Sequence, residues 1–184
     1  MEESKLTLIF NSLKSRGVKM DHGLTNQEIK QIENEYSFRF PSDLATVLQY
    51  KLPISNGFPN WRNGSKEVIT NWLERPLEGI IFDTEHNNFW LNSWGEKPKT
   101  LEESIEVARH QVKRAPKLIP IYKHRYIPCE PIDKGNPVFS VWQTDIIYYG
   151  YDLDDYFNRE FGVPLLKSRI SEPRSTRFWN EIIG

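Results

Sequence analysis

The sequence predicts an α+β fold: a central antiparallel or mixed sheet with helices packed around it. Three observations carry this. Amphipathic helical segments open and close the chain. The densest run of β-branched and aromatic residues lies between Leu118 and Gly150. Helices and strands are segregated rather than alternating, which argues against a parallel βαβ sheet. At 184 residues the chain fits a single domain spanning 1–184, long enough to bury a core without a disulfide or structural metal.

Each element has a local reason. Leu6, Ile9, Phe10 and Leu13 fall on one helical face, so a helix is expected over 3–16, with Gly17 as its stop. Residues 18–23 read as a polar connection. Thr25-Asn-Gln-Glu28 is a capping box, with Leu24 and Ile29 at staple spacing and Ile29, Ile32 and Tyr36 continuing the face. Pro41 opens a short helix through Leu44, Val47 and Leu48. Residues 53–64, rich in Pro, Asn and Gly, read as a loop. A short helix around Val68, Ile69, Trp72 and Leu73 is expected to end at Pro76. Gly79–Phe82 and Phe89–Leu91 read as short strands around a polar turn, Asp83–Asn88.

Thr100-Leu-Glu-Glu103 is a second capping box, leading a stripe of Leu101, Ile105, Ala108 and Val112 that Pro116 ends. Acidic residues early and basic residues late suit the helix dipole. Within Leu118–Gly150, Asp133-Lys-Gly-Asn136 is a hairpin turn, and Ile119, Ile121, Val138, Phe139, Val141, Ile146 and Ile147 are the expected sheet residues. Asp152 caps a helix with Leu153, Tyr156, Phe157 and Phe161 inward, stopped by Gly162 and Pro164. After a basic linker, 165–174, Ser175 is expected to cap a last helix over 175–183.

Composition narrows the functional classes. A net charge of −1 argues against a dedicated nucleic-acid or membrane-surface protein. One cysteine, Cys129, excludes a disulfide framework and a cysteine-rich zinc site, and fits a reducing cytoplasm. The N-terminus lacks the form of a signal peptide, and no apolar run approaches a membrane span. Phosphate-loop, dinucleotide, nucleophile-elbow and zinc-helix motifs are all missing from the sequence. His124 with Cys129 would suit a thiol–imidazole pair, but a structural cysteine on a strand is the favoured reading. Asp83, Glu85 and His86 carry metal-ligand atoms without a recognised spacing. No catalytic residue, metal or cofactor is therefore assigned.

Binding features are clearer. Val107 to Cys129 holds six Lys or Arg, two His and no acid. An acidic protein partner is preferred to nucleic acid for this run. Four of the six tryptophans, Trp61, Trp72, Trp90 and Trp94, cluster in one third of the chain, and such rings often anchor interfaces. The candidate partner-binding residues are Trp72, Glu85, His86, Trp90, Trp94, His124, Arg125 and Tyr126, with Arg125 expected at the surface.

The ordered set T-N-Q-E-I-K-Q-I-E-N-E-Y, F-R-F-P-S-D-L, L-I-P-I-Y, G-N-P-V, V-F-S-V-W and D-L-D-D-Y-F-N-R-E-F resembles the SUKH superfamily. That superfamily includes the Smi/Knr cell-wall regulators of yeast. The resemblance covers about residues 24–161, with the first and last helices as additions. In place of the usual compact Asn-Gly-Gly this chain has a Trp-bearing insertion. The resemblance implies an α+β fold, no shared catalytic residues, and a role among bacterial immunity proteins, which bind toxins that are often nucleases or deaminases. The expectation is a non-enzymatic cytoplasmic protein-binding domain whose partner is a cognate toxin. The alternative classes are a regulatory scaffold or nucleic-acid-associated adaptor, and a small hydrolase using Cys129 or the Asp83–His86 turn.

Overall fold

The computed structural model of the chain describes residues 1–168 and 170–183. Helix α1 (Glu3–Ser15) buries the expected stripe of Leu6, Ile9, Phe10 and Leu13. Strand β1 (Met20–His22) follows where the sequence suggests only a connection. Helix α2 (Asn26–Tyr36) starts at a complete capping box. The Thr25 N–H donates to Glu28 Oε2 at 2.7 Å, and the Glu28 N–H donates to Thr25 Oγ1 at 3.1 Å. Helix α3 (Ser42–Tyr50) buries Leu44, Val47 and Leu48, then runs directly into β2 (Lys51–Pro53), which pairs antiparallel with β1. These strands are too short to show a period of two.

The loop after β2 is held from inside. Trp61 is buried against Tyr36, Phe38 and Phe40. Arg62 donates to the carboxylates of Glu28 and Asp21 and to the carbonyls of His22 and Gly23. Gly23 is required here, because a Cβ would lie 1.7 Å from the Gln49 carbonyl oxygen.

Helix α4 (Lys66–His86) is the largest departure from the sequence reading. It starts at Ser65, whose hydroxyl accepts from the Val68 N–H, and continues through Pro76. Gly79–Phe82, expected as a strand, and Asp83–His86, expected as a turn, are its last two turns. Proline deprives the residue four positions earlier of its helical donor. That residue is Trp72, and its carbonyl accepts instead from the Tyr126 hydroxyl at 3.2 Å. Phe89–Leu91 is also not a strand, and a single 3₁₀ turn follows at Asn92–Trp94.

Helix α5 (Leu101–Lys113) is capped by Thr100, which accepts from the Glu103 N–H. Ala108 and Val112 are buried, but Leu101 is exposed. The chain then forms a meander of β3 (Leu118–Tyr122), β4 (Arg125–Pro128), β5 (Val138–Trp142) and β6 (Asp145–Gly150), each pairing antiparallel with the next. Lys123 and Gln143 take positive φ in the two tight turns. The Asp133–Asn136 stretch is not itself a tight hairpin but part of a longer link over 129–137. There the buried Asn136 amide donates to the Pro128 and Pro131 carbonyls.

Helix α6 (Leu153–Phe161) is capped by Asp152 and ended by Gly162 at φ +65°, as read from the sequence. Its Phe161 carbonyl accepts from Ser12 and Arg16 of the α1 end. The last helix, α7 (Trp179–Ile182), is shorter than expected and is not started by Ser175. Arg169, in the expected basic linker, lies outside the described residues, as does Gly184.

Side chains alternate across a strand, so neighbouring residues enter different cores. Ile119, Ile127 and Val138 face α1, α2, α3 and α6. Leu118, Tyr126, Phe139, Val141 and Ile146 face α4, α5 and α7, with Trp179 among them. Ile147 is not a core residue: it is half exposed, as is Trp142 to a greater degree. The chain is thus an α+β single domain with a four-stranded and a two-stranded antiparallel sheet. Among the described residues no helix is long and apolar enough to cross a membrane.

Candidate functional site

The eight candidate contact residues do not form one surface. Tyr126 is fully buried, with its hydroxyl held by the Trp72 carbonyl, and burial pushes that hydroxyl up to about 12. It is a core residue. Arg125 is an internal link rather than a surface charge. Its Nε donates to Glu160 Oε2 at 3.0 Å, a guanidinium N–H donates to Ser140 Oγ at 2.8 Å, and its Cζ sits 3.6 Å from the centre of the Tyr149 ring. Only 13% of its side chain is exposed. His124 shares the β3–β4 turn, where burial and then Arg125 hold its imidazole below the usual range.

The other candidates lie on α4 and the segment that follows it. Trp90 and Trp94 meet edge to face at 5.1 Å, Trp94 stacks with Phe178, and the Trp90 Nε1–H donates to the Gly95 carbonyl. Both rings are half-buried, as is Trp72. Glu85 and His86 are exposed at the end of α4, with His86 stacked on Phe82 at 4.3 Å.

The catalytic-type constellations come apart. Cys129 and His124 flank opposite ends of β4, about 16 Å apart along an extended strand. Burial, then Glu130, pushes the Cys129 thiol up, away from the nucleophilic thiolate. Asp83 accepts from the Thr144 N–H at 2.9 Å, from the Thr144 hydroxyl and from the Asn87 amide. Burial alone would raise this carboxyl, but the three hydrogen bonds outweigh it and hold it low. Asp83 thereby ties α4 to the β5–β6 turn. Among the described residues, no three His, Cys, Asp or Glu side chains stand together to hold a metal ion.

What the fold does gather is positive charge. The C-terminal ends of α2 and α5 converge beside the exit of β4. Arg39, Lys113, Arg114, Lys117 and Arg177 line a cavity of about 560 Å³ there, with Glu33 and Glu130 as its only carboxylates among the described residues. Arg39 lies 3.7 Å from Glu33, and Arg177 lies 3.6 Å from Glu130. The Lys117 ammonium donates to the Tyr36 carbonyl at 2.7 Å. Among the described residues, Lys113 and Arg114 have no such partner. Each helix C-terminus is worth roughly half a negative charge. Five cations, two carboxylates and two such termini still leave a positive excess of about two.

Three members of this cluster, Lys113, Arg114 and Lys117, belong to the basic run visible in the sequence. Arg39 and Arg177 come from distant segments, and no sequence pattern joins them to it. No family model, no curated protein and no solved structure matches the chain.

Proposed function

We propose that the chain is a non-enzymatic protein-binding domain of the immunity-protein type, which neutralises a toxin by covering its active site or substrate channel. The observation that carries the binding role is the concave basic surface. It combines five cations from separate parts of the chain, two of them without an internal partner among the described residues. Such a surface speeds and orients association with an acidic patch on another protein. The immunity role rests on the ordered SUKH-like pattern from Leu24 to Phe161. The separation of Cys129 from His124 and the internal use of Asp83 favour binding over hydrolysis.

The test is co-expression with toxin domains encoded beside this gene. The expected result is stable co-purification and survival of cells that make both proteins. Toxins that fail to bind the chain, and that kill expressing cells as readily as controls, sink the immunity reading. An adaptor for nucleic acid makes a different demand: retention on DNA or RNA that weakens steeply with salt.

A further inference from the structure

The basic cavity has an apolar neighbour. A second cavity, of about 380 Å³, lies between α2, α4 and α5, and it shares Ser37, Lys113 and Lys117 with the first. Its apolar lining includes Leu73, Leu77, Val112 and Trp179. Trp179 is fixed in place by its Nε1–H, which donates to the Pro116 carbonyl at 2.8 Å. On the rim, Lys66 and Glu35 satisfy each other at 3.2 Å. The volume falls within the usual ligand-pocket range of about 300–1,000 Å³. Lys113 and Lys117 stand on the boundary, so apolar and cationic surface run on as one groove.

We infer that this groove binds a short acidic segment of a partner protein, with one apolar side chain seated between α4 and α5 and neighbouring carboxylates over Lys113 and Arg114. The inference rests on the protein-binding reading above and names the kind of segment recognised. Charge complementarity selects the acid. Lys113 and Arg114 are exposed, and their charges are not met from within the described residues. The apolar pocket selects the anchor, because a wholly charged ligand would leave Leu73, Leu77 and Val112 against water.

A nucleic acid strand fits less well. Phe38 and Trp179 are exposed by only 7% and 2%, so neither offers an open ring face to a base.

The test uses the full chain and fluorescence anisotropy. The probe is a fluorescein-labelled peptide of glutamates around a single leucine. Its comparators carry serine for the leucine or glutamine for the glutamates, and oligothymidylate serves as the nucleic-acid probe. We expect saturable binding of the Glu–Leu peptide, weaker by about tenfold with serine and lost with glutamine. A tenfold change equals about 1.4 kcal/mol, close to the lower end of the roughly 1.5–3 kcal/mol for fully burying one leucine. Lys113→Glu combined with Arg114→Glu should weaken it at least tenfold, with an unchanged circular dichroism spectrum. No saturable binding of the Glu–Leu peptide, equal binding of the serine peptide, or tighter binding of oligothymidylate each overturns the inference. A toxin that binds the wild-type chain and the Lys113→Glu/Arg114→Glu variant equally removes the groove and leaves the immunity reading. Peptide binding without any toxin binding removes only the toxin.

Discussion

The hydroxyl of Tyr126 on β4 donates to the carbonyl of Trp72 on α4, which Pro76 leaves without a helical donor. A sheet residue thereby supplies the hydrogen bond that keeps a proline-containing helix continuous. The Tyr126 ring also fills the core between sheet and helix, so packing and hydrogen bonding act at the same spot.

Tyr126→Phe should therefore destabilise the protein by about 0.5–1.5 kcal/mol, the net worth of one hydrogen bond to a partly buried acceptor. In a Pro76→Ala background the same change should cost less, because the restored N–H at position 76 can reach the Trp72 carbonyl. Urea denaturation of the four proteins measures the coupling. Additive effects would show that the hydroxyl and the proline act separately. Tyr156 is a useful contrast: its buried hydroxyl has no hydrogen-bond partner among the described residues, so Tyr156→Phe should cost little.

Arg125→Glu should be damaging. The substitution removes the donors to Glu160 and Ser140 and places a carboxylate against Glu160. Breaking a largely buried pair from one side costs about 3–5 kcal/mol. A drop in thermal midpoint of several degrees is expected. An unchanged midpoint would mean that Arg125 is not held as described.

Stability should fall in acid through Glu28. The Arg62 guanidinium, then the Thr25 N–H, hold its carboxyl at about 2, against 4.5 for the free group. A carboxyl with a depressed folded value contributes its stability above the unfolded value. The contribution is lost as pH falls from about 4.5 towards about 2. Glu28→Gln should flatten the stability–pH curve over that window. Asp43 and Asp152, both raised by burial, oppose this slope, so the difference between wild type and variant is the quantity to follow.

Cys129 should react slowly with a water-soluble disulfide reagent in the native protein and quickly in urea. The residue is only 7% exposed, and burial shifts its thiol upward. Fast native labelling at neutral pH would contradict its placement.

The sequence reveals elements whose causes are local. The Thr25 box, the Asp152 cap and the Gly162 stop act within one turn of helix, and each forms as read. The Leu118–Gly150 meander is legible because β-branched and aromatic residues concentrate there. Helix α4 is not, because its continuity depends on Tyr126, which lies in another element far along the chain. Its period was nevertheless present. Ile69, Pro76, Ile80, Asp83 and Thr84 are its buried positions and keep helical spacing across the proline. Arg125 is not legible for a similar reason: a charge on a strand looks solvated until α6 brings Glu160 to it. Three of the five cations of the basic site stand in one run of the sequence, while Arg39 and Arg177 join it only through folding.

The sheet separates two cores that share strands but not side chains. Ile127 and Tyr126 are neighbours in the chain, yet they belong to different clusters. Substitutions on the two faces should therefore act independently, their stability effects adding within about 0.5 kcal/mol. Helix α4 is the exception, because Ile69 belongs to the α1-side cluster and Leu73 packs against it, so it is the α5 and α7 wall of the groove, with Val112 and Trp179, that can be altered without disturbing the opposite half. That wall of the proposed groove is free to diverge while the rest of the fold holds still.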